Sequence, residues 1–306
     1  MDPKYGEIKC ENLKIKGKFC KNGAYYKCST GKKGVHYLCG VHSKKLEREE
    51  LKEMTKKEKH DLKMTRLKQM AADAAITAVN SSKPEATLVK MEGMFPFVPI
   101  RSGWINVYPN FKSSWQGVGF VCPALSPMSL GPVNHGQPGL PPSKTIENFH
   151  QFSKFFGKLE NKKEFKERQI DAFKSPIPHR HKFPKDVLKK VATGNVNIPD
   201  YFVWIDKSGK EHHLTYIESR QFYCNFYERL VVEKKEYKCL QKLYNMNVKL
   251  QICGPDAYGV SIVSKNGIEE EYLNPKVPFG HERVLLTILT LEPEDYPWRK
   301  YKTFEF

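Results

Sequence analysis

Wound at about 3.6 residues per turn, residues 143–156 separate into two faces. Ile146, Phe149, Phe152, Phe155 and Phe156 gather on one side, and Glu147, Gln151 and Lys154 stack on the other. The spacing predicts one amphipathic helix with a carboxylate, an amide and an amine in a vertical row, read either as a solvated face or as one wall of a pocket. Helical periodicity recurs over 162–173, over 217–244 and over 284–291; in the second of these, Phe222, Phe226, Leu230, Tyr237, Leu240 and Tyr244 are expected in the core. Residues 43–80 contain no proline or glycine and are dense in Lys, Glu, Leu, Met and Ala, which predicts one long charged helix, or two, without a sustained heptad.

Short β-compatible runs fall at 86–97, 103–109, 117–121 and 248–254. Another pair, 202–205 and 213–216, flanks Asp206-Lys207-Ser208-Gly209 and predicts a hairpin. Residues 123–142 hold six prolines and three glycines and are expected to form no regular element. A stretch of this length reads as a lid, a binding loop or a disordered insert; its Leu125, Met128, Leu130 and Val133 argue for packing. Together these elements predict an α+β, helix-dominated domain with short strands over 86–306, carrying an insert near 174–216. It is preceded by a small module over 1–42 and a charged helical linker over 43–85.

Charge alters this picture mainly at one end. The formal net charge is +17, and residues 1–90 hold 21 Lys/Arg against 11 Asp/Glu, the remainder 30 against 23. An acidic partner such as DNA is therefore expected through residues 1–80. No apolar run approaches the roughly 18 residues of a membrane helix, and the first residues lack the apolar core of a secretory leader. The expectation is an intracellular protein with no membrane span.

In a reducing compartment clustered cysteines favour metal over disulfides. Cys10, Cys20, Cys39 and His42 form a C-x9-C-x18-C-x2-H set of the soft donors that zinc takes in a tetrahedron, with Cys28 as an alternative ligand. The region resembles small zinc modules common in proteins of large DNA viruses, which implies structural Zn, virion proteins as further partners of residues 1–80, and a place in the cytoplasm or a viral factory, open to packaging in the virion. His179 and His181, at H-x-H spacing without a third ligand nearby, read as an exposed basic loop.

The order of elements resembles the NADAR family, also called YbiA-like. Its helix motif E-x-x-x-Q-x-x-K matches at Glu147, Gln151 and Lys154, its S-N-F-Y-P at 104–109, its L-L-x-T-G-D at 253–256, and its closing G-x-N-x-L-G-x-x-L at 279–286. The chain departs from the family in lacking a W-G segment between 260 and 277. The resemblance implies an N-glycosidase acting on nucleobase-linked ADP-ribose or a related ribosyl nucleotide, with no cofactor for catalysis. Breaking such a bond develops positive charge on the ribose. The implied roles are Glu147 beneath the sugar, Lys154 as a desolvated amine attacking or positioning the anomeric carbon, and Gln151 orienting hydroxyls. Asp256 would be a second acid, His281 a proton donor, Arg283 with the Gly280 amide a phosphate contact, and Asn106 and Tyr108 substrate contacts. The competing readings are a non-catalytic viral structural protein that keeps this scaffold and binds protein or DNA through its basic N-terminal region, and a basic nucleic-acid-binding protein with no pocket.

Overall fold

The computed structural model describes residues 55–78, 82–91, 100–110, 117–178, 199–257 and 263–302, together with the backbone strands within 13–50 given next. The chain divides into two compact units, Met1–Met70 and Ala71–Phe306. In the first, β1 (Leu13–Lys14) pairs antiparallel with β2 (Lys18–Phe19), while β3 (Tyr26–Ser29) lies between β4 (Val35–Leu38) and β5 (Arg48–Glu50) in a second antiparallel sheet. The helix predicted from residue 43 is thus corrected: a strand occupies Arg48–Glu50, and α1 spans Lys56–Ala78. The expected zinc ligands Cys10, Cys20, Cys39 and His42, and the pair His179 and His181, lie outside the described residues.

The second unit is mixed α and β, built on a sheet that local patterns did not disclose. Strands β6 (Ala86–Lys90), β7 (Trp104–Tyr108) and β8 (Phe120–Val121) come early in the chain. The last strand, β12 (Lys249–Gly254), inserts between β6 and β7 to give the order β6-β12-β7-β8, with every pairing parallel. Leu250 and Ile252 are fully buried on one face of β12, as expected of a strand covered on both sides.

Between these strands, the predicted helix at 143–156 is shorter than expected. Thr145 caps α2 (Ile146–Phe152) by accepting from Asn148 N. Ser153 then ends it, its hydroxyl donating back to Phe149 O at 2.8 Å. Lys154–Phe155 becomes β9 and pairs antiparallel with β10 (Tyr201–Ile205), which continues into β11 (Glu211–Leu214). The hairpin partner is 46 residues distant in register (Phe155 with Tyr201), so helical periodicity alone could not report it. Pairing buries Phe155 against Phe165 and Tyr201.

Helix α3 (Lys162–Lys174) opens on an Asn161 capping box. The single helix expected over 217–244 is two, α4 (Tyr216–Val231) and α5 (Lys235–Asn245), separated by a break at 232–234. After β12 come α6 (Lys265–Leu273), α7 (His281–Thr290) and the short α8 (Pro297–Lys300). Buried Arg220 of α4 donates to the carbonyls of Glu271, Tyr272, Asn274 and Val277, fixing the C-terminal end of α6 and the turn beyond it. Among the described residues no helix is long and apolar enough to cross a membrane.

The proline-rich segment is an ordered part of this unit. Leu125, Leu130 and Val133 are fully buried, Met128 is exposed, and Val133 forms a bridge with Ser143. His135 lies within it, stacked on Phe149 at 5.3 Å. Its Nδ1 accepts from Gln137 N at 3.1 Å and its Nε2 faces Pro141 O at 3.0 Å, so the neutral ring with its proton on Nε2 satisfies both contacts. Burial holds the imidazole pKa below its usual value, the Pro141 carbonyl opposing. A depressed histidine pKa means the unfolded chain takes up the proton first. The stabilising contribution is therefore complete above the unfolded pKa of roughly 6.5 and is lost as pH falls below it toward the folded value. We expect the difference in Tm between pH 7.5 and pH 5.5 to be smaller for His135→Gln than for the parent chain, as measured by thermal unfolding at the two pH values.

Candidate active site

Parallel sheets collect ligands at the carboxyl ends of their strands, and polar side chains of the second unit meet there. Helix α7 begins above the end of β12. Its second residue, Glu282, is fully buried, and an ideal Cβ on Gly254 would fall 1.9 Å from Glu282 Oε1 and 2.6 Å from its Cγ. Only glycine at the end of β12 leaves room for this carboxylate. Glu282 Oε1 accepts from Asn110 Nδ2 at 3.1 Å, and Ser126 Oγ donates to Asn110 Oδ1 at 3.1 Å. The loops after β7 and β8 thereby hold the carboxylate from the side opposite the helix.

His281, 7% exposed, places Nδ1 3.0 Å from Glu282 Oε2, an ion-pair contact rather than an aligned hydrogen bond. The carboxylate faces Nδ1, leaving Nε2 as the ring nitrogen directed away from it. That Nε2 is buried and has no hydrogen-bond partner among the described residues. Asp256 sits exposed at the rim, two residues past Gly254. Loss of water around its carboxyl raises its pKa, Glu282 raises it further, and His281 and Lys90 act in the opposite sense.

The row from α2 approaches from the other side. Glu147 is half-buried, and its main-chain N–H donates to Pro127 O at 3.0 Å, so the proline-rich loop fixes the start of the helix. Although Gln151 and Lys154 are on different elements, they still meet: Lys154 Nζ donates to Gln151 Oε1 at 3.0 Å and lies 5.5 Å from the centre of the Phe202 ring. Tyr223 of α4 connects the two groups. Burial pushes its hydroxyl far above the usual phenol range, the neighbouring Tyr227 adds to this, and then both Glu147 and Glu282 do. Two carboxylates from distant parts of the chain, Glu147 and Glu282, thus disfavour ionisation of one buried phenol. Tyr227, raised by burial and by Glu282, donates to Leu125 O at 2.8 Å.

No protein-family model, curated protein or solved structure matches this chain. The site is therefore described from its own geometry.

His281, Gly280 and Asp256 gather near Glu282, Gln151 and Lys154 pair with each other, and Glu147 acts on Tyr223, while Asn106, Tyr108 and Arg283 lie elsewhere. Side chains alternate across a strand. Asn106 is in register with Gln251, and Gly254 is three residues farther along β12, so Asn106 and Tyr108 lie on the sheet face opposite the Gly254–Glu282 contact. There Gln251 Nε2 donates to Asn106 Oδ1 and Asn106 Nδ2 to Tyr108 Oη, each at 3.0 Å, a polar layer inside the fold. Arg283, one residue beyond Glu282 on α7, is buried and paired with Glu271. Burial, then Arg220, lowers its pKa to about 10. All three are engaged with partners inside the fold.

Glu282, Asn110, Ser126 and Tyr223 belong to the site without having been assigned to it from sequence. Glu282 stands inside the Gly280–Arg283 stretch that the sequence singled out, and Asn110 directly follows the strand ending at Tyr108; those positions were the available signals. Among the described residues no group of His, Cys, Asp and Glu is arranged to hold a metal. Three thiols and one imidazole, the set at Cys10, Cys20, Cys39 and His42, have the donor chemistry of a structural zinc site.

Gly254→Ala should displace Glu282 and destabilise the protein by about 1–3 kcal/mol. In a double-mutant cycle read by denaturant unfolding, the alanine is expected to cost less on a Glu282→Ala background than alone. Additive costs would mean that the close approach does not govern this position.

Proposed function

We propose that the chain is an N-glycosidase of the NADAR type that hydrolyses an ADP-ribosyl or ribosyl N-glycosidic bond. The observation that carries this reading is the fully buried Glu282 against Gly254, in contact with His281, whose Nε2 has no hydrogen-bond partner among the described residues, at the carboxyl ends of a parallel sheet. The E-x-x-x-Q-x-x-K resemblance on α2 and β9 supports it.

In this reading Glu147 stabilises the positive charge that builds on the ribose as the bond to the base lengthens. His281 Nε2 takes a proton from the attacking water while Glu282 holds the ring and balances the imidazolium that forms. Asp256, which keeps its proton to higher pH than an ordinary aspartate, protonates the departing base. Water oxygen bonds to the anomeric carbon as the C–N bond breaks. Gln151 holds Lys154 and, with Asn110, borders the sugar. In the N-terminal unit, Cys10, Cys20, Cys39 and His42 would hold a structural zinc ion.

Incubating the full chain with ADP-ribosylated guanosine, an ADP-ribosylated DNA strand and a ribosylated pyrimidine of the riboflavin pathway should release free base from one of them. Glu147→Gln and His281→Asn are each expected to lower kcat by about 100-fold or more. Asp256 works while protonated, so the rate should fall as pH rises through its raised pKa, and Asp256→Asn should flatten that limb. Cleavage of none of the three substrates, or undiminished turnover by both variants, would sink the proposal.

A binding role for the N-terminal region is supported by its excess of 21 Lys/Arg over 11 Asp/Glu in residues 1–90. It predicts a DNA affinity that weakens steeply with salt and disappears when residues 1–80 are removed. Binding that survives the truncation would assign the contact elsewhere.

A further inference from the structure

A second cleft, of about 540 Å³, opens between the proline-rich segment, the turn joining β10 to β11, and α4. That volume is within the roughly 300–1,000 Å³ of small-molecule sites. Trp204 and Phe226 form an apolar wall, His135 a flat one, and Asn134, Lys207 and Arg229 border the opening. None of these residues belongs to the catalytic proposal above.

The uncompensated charges of this cleft are positive. Its one carboxylate, Asp206, is fully engaged in bracing the turn: Oδ1 accepts from Ser208 N, Ser208 Oγ and Lys210 N at 2.9, 2.6 and 3.0 Å, and Oδ2 faces His212 Nε2 at 2.8 Å. The Ser208 hydroxyl first, then His212, holds Asp206 well below the usual carboxylate range. His135 contributes no charge, since both its nitrogens are engaged in the neutral form. Lys207 and Arg229 have no carboxylate partner among the described residues, and the Arg229 guanidinium lies 5.8 Å from the centre of the Phe226 ring.

A further unfilled donor lies next to the cleft. Gln137 is 3% exposed, and its Oε1 accepts from the N–H of Ile205, a cleft residue, at 2.9 Å. That bond fixes which end of the amide is oxygen, so Nε2 must point elsewhere; it is buried and has no partner among the described residues. The bond to Ile205 ties the proline-rich segment to β10 and so braces one side of the cleft.

We propose that this cleft binds a nucleotide-sized organophosphate. The phosphate would pair with Arg229 and Lys207, and the apolar body would lie along Trp204 and Phe226 with its acceptors toward Asn134. The inference does not depend on the hydrolase reading, because the two sites share no residue.

The test is isothermal titration of the full chain with adenosine 5′-monophosphate, adenosine and inorganic phosphate, repeated on Arg229→Gln, Gln137→Leu and Glu282→Gln. The monophosphate should bind with a Kd below about 1 mM. Adenosine and phosphate alone should each bind at least about tenfold more weakly, as should the monophosphate to Arg229→Gln, an exposed substitution. Gln137→Leu, checked for folding by circular dichroism, should also weaken it, and Glu282→Gln should leave it unchanged. Phosphate binding as tightly as the nucleotide, no binding of the nucleotide, or binding lost in Glu282→Gln but kept in Arg229→Gln would each overturn the assignment.

Discussion

The ring of Phe149 holds the second unit together. It is fully buried and touches five other rings: His135 of the proline-rich segment, Phe173 of α3, Trp204 of β10, and Phe222 and Phe226 of α4. Edge-to-face and offset arrangements at these separations each add to the area buried. The contacts draw on segments far apart in the chain, so one side chain sets where the loop, the hairpin and two helices stand relative to α2. Because α2 is only seven residues long, it has little helical stability of its own and depends on this packing for its position. Glu147 lies on that helix, two residues from Phe149. The aromatic core therefore aims the carboxylate.

The same arrangement accounts for what the chain disclosed before folding and what it withheld. Features set by neighbours within a few residues were legible: the hairpin around Asp206–Gly209, the ends of α3, the strand at 249–254 and the buried α7 all follow from local alternation, caps or apolar runs. Residues 232–234, which break α4 from α5, were hidden beneath continuous helical periodicity. Conversion of Lys154 and Phe155 to a strand depended on Tyr201 and Phe202, which no local window contains. The parallel sheet was illegible for the same reason: β12 slots between strands that precede it by more than a hundred residues, and nothing in the run from Lys249 to Gly254 states its neighbours.

The site shows this division more sharply. Glu147 and His281 stood out because each occupies a polar position next to an apolar pattern. Asn106 and Tyr108 stood out equally, and the face of the sheet then separated them from the others. Strand alternation decides that outcome once the register is known: Asn106 pairs with Gln251, whose side chain leaves the sheet on the side away from Gly254. Sequence names the residue types, and the register assigns them to a wall. Arg283 illustrates the helical counterpart, since one step along α7 from Glu282 carries its side chain toward Glu271 and Arg220 rather than toward the strand ends.

A carboxylate as enclosed as Glu282 is expensive to keep. Removing an ionised group from water costs on the order of several kcal/mol even after relaxation, and only partial compensation is visible: one hydrogen bond from Asn110, one ion-pair contact with His281, and the positive end of α7. An apolar side chain in the same space would be simpler to stabilise. Yet the surroundings are shaped around the acid. β12 ends in a glycine whose Cβ would collide with it, and Ser126 orients the asparagine that donates to it. Several elements are thus shaped around one acid that contacts an imidazole whose other nitrogen has no partner among the described residues, an arrangement that suits the proton transfer proposed above.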